Sequence, residues 1–70
     1  MNPTSDLRAF VRVMDRGSFS SAAKDLGLTP SAVSKLVSRL EDRLGVRLLE
    51  RSTRRLALTP EGETFLARVR

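Results

Sequence analysis

Ser31, Ser34/Lys35 and Ser38 recur every three or four residues within residues 30–43, with Arg39 beside them, so a helix there would set them in one row. Serine hydroxyls can donate or accept at the edges of nucleic-acid bases. Lysine and arginine reach guanine acceptors or phosphates. Serine is a middling helix former, so three on one face ask for a reason other than helix stability. Bond-making chemistry has less to work with. The chain contains no His, Cys, Tyr or Trp, which removes the usual general base, the thiolate nucleophile and most metal ligands. Ser21 and Lys24 fit the S-x-x-K pattern of serine acyl-enzymes. The companion motifs are absent, and a solvent-facing lysine one turn from a helix-start serine explains the pair as well. The carboxylates Glu41 and Asp42, and Glu61 and Glu63, sit among arginines and read as helix-surface charges. The sequence therefore predicts no catalysis, no cofactor and no metal.

A second set of candidates lies in the segment RLLERSTRRLAL, where Arg51, Thr53, Arg54 and Arg55 cluster at a turn. The formal charge of the chain is +5. From Lys35 to Arg55 seven basic residues face three acidic ones, a local excess of +4. Charge concentrated in one third of a domain suits a polyanionic partner.

Short elements must position these groups. Seventy residues make one small domain, which buries only roughly 60% of its unfolded surface. With 40% hydrophobic and 30% charged residues, the composition is globular. No apolar run approaches the roughly 20 residues of a membrane span, and a cytoplasmic protein is expected.

Ser5 or Asp6 can cap a first helix with Leu7, Phe10, Val11 and Met14 at helical spacing, ended by Gly17. Ser18 can cap a short second helix carrying Phe19, Ala22, Ala23 and Leu26, ended by Gly27. Thr29-Pro30 opens a third, with the stripe Val33, Leu36, Val37, Leu40 and Leu44, closed by Gly45. Two short strands are predicted over 46–50 and 56–58, with 51–55 as the turn between them. Thr59-Pro60 opens a fourth helix with Phe65, Leu66 and Val69 on one side. That helix reaches Arg70 without a stop signal, as expected of a chain that continues into further domains.

The predicted fold is mostly α. It is a winged helix-turn-helix over 1–58, with a three-helix core, a short two-stranded wing and the start of a linker helix at 59–70. The order GSFSSAA, TPSAVSK, RLEDRLGVRLLER, RRLALTPEG closely resembles the N-terminal DNA-binding domain of LysR-type transcriptional regulators. The resemblance covers Leu7 to Arg70. It implies double-stranded DNA as partner, read at interrupted inverted repeats by a bacterial activator or repressor. It further implies a homodimer joined through the fourth helix by Phe65, Leu66 and Val69, commonly a tetramer at full length, with effectors bound only by a C-terminal domain. Base-reading contacts would fall at Pro30, Ser31, Ser34 and Lys35, with Ser38 and Arg39 further along, and the wing arginine near Arg51 or Arg54. The chain departs from the family where Pro30-Ser31 stands for a common Gln-Pro, Lys35 for Arg, and Leu36 for a frequent Gln. A forked arginine contact to guanine is not available from Lys35.

Overall fold

Thr-Pro signals, capping serines and glycine stops punctuate the chain, and helices form between them. The computed structural model describes the backbone of residues 3–50 and 56–70, and the side chains of residues 5–50 and 56–70. Four helices are found among them: α1 (Pro3–Arg16), α2 (Phe19–Leu26), α3 (Pro30–Leu44) and α4 (Pro60–Val69). The fold is mostly helical, as expected.

Side-chain oxygens accept the first free N–H groups of three helices. Ser18 Oγ accepts from Ser21 N at 3.1 Å, Thr29 Oγ1 from Ala32 N at 3.1 Å, and Thr59 Oγ1 from Gly62 N at 2.9 Å. Pro30 and Pro60 occupy the opening helical position, where a missing N–H has no partner to lose. Gly45 ends α3 with φ of 74°, a left-handed conformation that costs glycine little.

α1 differs from its predicted start. It opens at Pro3, so Asp6 lies inside the first turn and is not a cap. Its carboxylate is 1% exposed and points to Arg43. The buried face is also rotated from the predicted stripe. Asp6, Ala9, Phe10 and Val13 are buried, while Leu7, Val11 and Met14 are half-buried at the margin. The predicted stripe follows the large side chains, whereas α2 and α3 both pack against α1, whose buried side carries small Ala9.

Ala22 and Ala23 of α2 and Val33, Leu36, Val37 and Leu40 of α3 complete the helical core, and Leu48 and Leu49 join it from beyond α3. Leu44, predicted for the same stripe, is 37% exposed. It is the last residue of α3, and the chain turns away at Gly45. Phe65 and Leu66 of α4 pack against this core, with the Phe65 ring centroid 5.8 Å from that of Phe10.

The two predicted strands do not form among the described residues. Leu49 and Leu58 make one antiparallel bridge, flanked by Glu50 N donating to Ala57 O at 2.9 Å and Thr59 N to Leu48 O at 3.0 Å. The ladder does not extend back towards Val46 because the opposite segment ends at Thr59, where Pro60 opens α4 and the Thr59 carbonyl accepts from Glu63 N; Leu48 N and Leu49 N donate to Glu41 instead. The predicted turn at 51–55 lies outside the described residues.

Candidate nucleic-acid interface

Burying Val33, Leu36, Val37 and Leu40 fixes which way α3 faces. On the opposite side Pro30, Ser31, Lys35 and Arg39 are exposed, and Ser34 and Ser38 are half-buried beside them. The predicted row therefore exists, with cations standing outermost and two serines set lower. Fifteen residues make a rod of roughly 22 Å, long enough to lie along a major groove about 12 Å wide.

Ion pairs sort the basic residues into two groups. Arg43 makes a forked contact with Asp6, Nη2 to Oδ1 at 3.0 Å and Nε to Oδ2 at 3.3 Å. Arg47 Nη1 lies 3.7 Å from Glu41 Oε1. Arg12 and Arg16 share Asp25, and Arg70 pairs with Asp15. Lys35 and Arg39 have no ion-pair partner among the described residues. Their charge is thus available to an incoming anion, whereas that of Arg43 and Arg47 is engaged by carboxylates.

The other predicted contacts are distributed unevenly. Arg51, Thr53, Arg54 and Arg55 lie outside the described residues. Phe65 and Leu66 are half-buried against the protein's own core. Val69 is half-buried in a surface groove with Leu7, Val11 and Leu26. Part of the apolar edge expected to meet a second subunit is therefore covered within the chain.

Two structural residues escaped the sequence reading. Glu41, read as a surface charge, is 4% exposed, and its Oε2 accepts from Leu48 N at 2.8 Å and Leu49 N at 3.1 Å. The signal was present: Glu41 follows Val37 by four residues and so lies on the apolar stripe. Gly62 was also missed. A Cβ there would stand 2.1 Å from the backbone oxygen of Leu48, so only glycine lets α4 lie this close. Ser21 is half-buried and donates its N–H to Ser18, and Lys24 is exposed, as the capping explanation of that pair expected.

An exposed polar row on the second helix of a helix-turn-helix, backed by a three-helix core, defines a helix-turn-helix regulator domain. The profile of the bacterial regulatory helix-turn-helix proteins of the lysR family matches residues 4–63. The chain belongs to this family and forms its DNA-binding domain. It is 53% identical over 65 residues to the probable HTH-type transcriptional regulator LtrA of Klebsiella pneumoniae, covering 93% of this chain and 21% of that protein. It is 51% identical over 65 residues to the HTH-type transcriptional regulator CrgA of Neisseria meningitidis serogroup B, covering 93% and 22%. The chain thus spans about a fifth of the length of these curated relatives. A crystal structure of a BenM_DBD/benA site 1 DNA complex superposes with a TM-score of 0.85 at 38% identity, covering 97% of this chain and 75% of that one.

Proposed function

We propose that this domain gives a bacterial transcriptional regulator its sequence-selective grip on double-stranded DNA. α3 lies in the major groove, and residues 51–55 act as a basic wing on the sugar-phosphate backbone or minor groove. The observation that carries this reading is the α3 face itself. Lys35 and Arg39, without an ion-pair partner among the described residues, project beside Ser31, Ser34 and Ser38, opposite a buried aliphatic stripe. The match to a BenM_DBD–DNA complex supports DNA as the partner.

The division of labour follows from the side chains. Ser31 and Ser34 near the start of α3 offer short hydroxyls to base edges, so a contact there reads sequence. Lys35 brings a point charge, which favours guanine or phosphate without the planar fit of a guanidinium. Arg39, and Arg51, Arg54 and Arg55 of the wing, neutralise phosphates and set affinity and register. Two such domains, joined through the exposed part of the Phe65, Leu66 and Val69 edge of α4, would set two copies of α3 in successive major-groove faces of an interrupted inverted repeat. In this reading the full-length regulator works in the cytoplasm as a dimer or tetramer and is not an enzyme.

Selection from a library of random duplexes tests the proposal. The expected product is an inverted repeat whose half-sites lie about one helical turn apart or a multiple of it. Lys35→Ala should alter the bases recovered at fixed positions within each half-site. Recovery of no enriched sequence, together with binding that ignores salt, would leave a protein-interaction module instead.

A further inference from the structure

We propose that Glu41 is a positioning residue for DNA binding: it holds residues 45–49, the chain that leads to the basic segment 51–55, against the helix that carries the groove-reading face. The inference rests on the reading that 51–55 meets the DNA backbone.

One residue of α3 holds the whole exit path of the chain. The Glu41 carbonyl accepts from Gly45 N at 2.8 Å and from Val46 N at 3.3 Å, which closes the helix. Its carboxylate reaches further along the same strip of chain. Oε2 accepts from Leu48 N and Leu49 N, and Oε1 faces Arg47. Backbone and side chain of Glu41 together thus fix residues 45–49. Leu48 then accepts from Thr59 N, Leu49 bridges Leu58, and Glu50 N donates to Ala57 O. The points where 51–55 departs and returns are therefore tied to the helix that carries Ser34, Lys35 and Arg39.

Glu41 can touch no DNA, because it is 4% exposed and lies on the core side of α3. Its effect on binding must pass through the segment it holds. An ionised acceptor suits that task, since charge-assisted bonds to backbone N–H groups are shorter and stronger than neutral ones. The two amides engaged by Oε2 are buried, so their loss leaves donors that only a rearranged chain can satisfy. Such a rearrangement of residues 45–49 is expected to weaken the phosphate contacts proposed for 51–55.

The test is the salt dependence of binding to a random-sequence duplex, referred to the folded fraction of each variant. A merely structural role lowers that fraction and leaves the slope of log K against log salt alone. Each phosphate contact adds about 0.9 to the slope, roughly a three- to fourfold change in affinity between 50 and 200 mM salt. Arg54→Ala should lower the slope by about one. Glu41→Ala should lower it by about as much or more, and Arg54→Ala should then add less than it does in the parent protein. Glu41→Gln keeps an acceptor oxygen at the right distance and should recover most of the slope. If Glu41→Ala does not fold, Glu41→Asp replaces it, with the same charge one methylene short of the amides. A folded Glu41→Ala or Glu41→Asp variant with the parent slope, beside a reduced slope for Arg54→Ala, overturns the positioning role and leaves the wing intact. An unchanged slope for Arg54→Ala overturns the wing, and the positioning role falls with it.

Discussion

Gly62 gives the sharpest test of the packing because two ordinary rules predict opposite signs. Gly62 lies inside α4, and by helix propensity alone Gly62→Ala should stabilise by about 1 kcal/mol. The structure predicts a loss. The added Cβ would sit 2.1 Å from Leu48 O, 3.0 Å from Leu48 C and 3.0 Å from Leu58 Cδ2. The first contact is with backbone, so no side-chain rotation relieves it, and α4 must move away by more than an ångström. Overpacking of this kind costs about 1–3 kcal/mol and sometimes more. Moving α4 also strains the Thr59 N to Leu48 O bond at 3.0 Å, worth about 1 kcal/mol. Set against the propensity gain, the net loss is about 1–3 kcal/mol. For a domain of this size each kcal/mol shifts the melting temperature by about 4–8 °C, so a drop of at least several degrees is expected. Circular-dichroism melts at two protein concentrations would measure it without interference from self-association. An equal or higher melting temperature for Gly62→Ala would refute the close approach of α4 to Leu48.

Three further outcomes are expected. Ala23, 2% exposed on α2, should not tolerate Ala23→Leu, which overpacks the core by about 1–3 kcal/mol; an unchanged melt would mean the register of α2 is wrong. Asp6→Ala removes the buried half of a forked pair whose arginine is 45% exposed at its side chain. Because Arg43 can turn to water, urea denaturation should show a loss of about 1–2 kcal/mol and not the 3–5 of a fully buried pair. Val69→Asp puts a charge on the α4 edge outside the core cluster, so sedimentation equilibrium should show weaker self-association while the melting temperature of the monomer stays close to that of the parent.

The helices were legible in the sequence because their signals are local. Thr29-Pro30 and Thr59-Pro60 announce α3 and α4, Ser18 announces α2, and each acts within three residues of itself. The serine and lysine row was legible for a related reason: once an apolar stripe fixes one side of a helix, the other side follows. The misreadings share the opposite property. Asp6 finds Arg43 across 37 residues of chain, and Glu41 bonds amides beyond the end of its own helix. Both partners exist only after folding, so the sequence alone reads Asp6 as a possible cap and Glu41 as a surface charge. The single bridge among the described residues has the same origin, since the opposite segment runs into α4 at Pro60 once Thr59 caps that helix. Gly62 was illegible because its constraint is a contact with Leu48, not a backbone angle.

These buried carboxylates also change how the positive charge should be counted. Sequence alone offers seven cations between Lys35 and Arg55. If each met a phosphate, the salt slope would be about −6 per subunit, at roughly 0.9 per contact. The structure withdraws two of them. Arg43 is forked onto Asp6 and Arg47 faces Glu41, and in both pairs the carboxylate is almost wholly buried. Pulling Arg43 onto a phosphate would strand the buried charge of Asp6, which is strongly unfavourable, and Arg47 is held beside a Glu41 carboxylate that Leu48 N and Leu49 N already fix in place. At most five cations remain on this stretch: Lys35 and Arg39 on α3, and Arg51, Arg54 and Arg55 by sequence. The contribution of this stretch to the slope for random duplex DNA should therefore be no steeper than about −4.5 per subunit. Arg43→Ala and Arg47→Ala should each leave that slope unchanged, whatever they do to the melting temperature, while Lys35→Ala and Arg39→Ala should each lower it by about one. A lower slope in either Arg43→Ala or Arg47→Ala would mean that these arginines leave their carboxylates when DNA arrives.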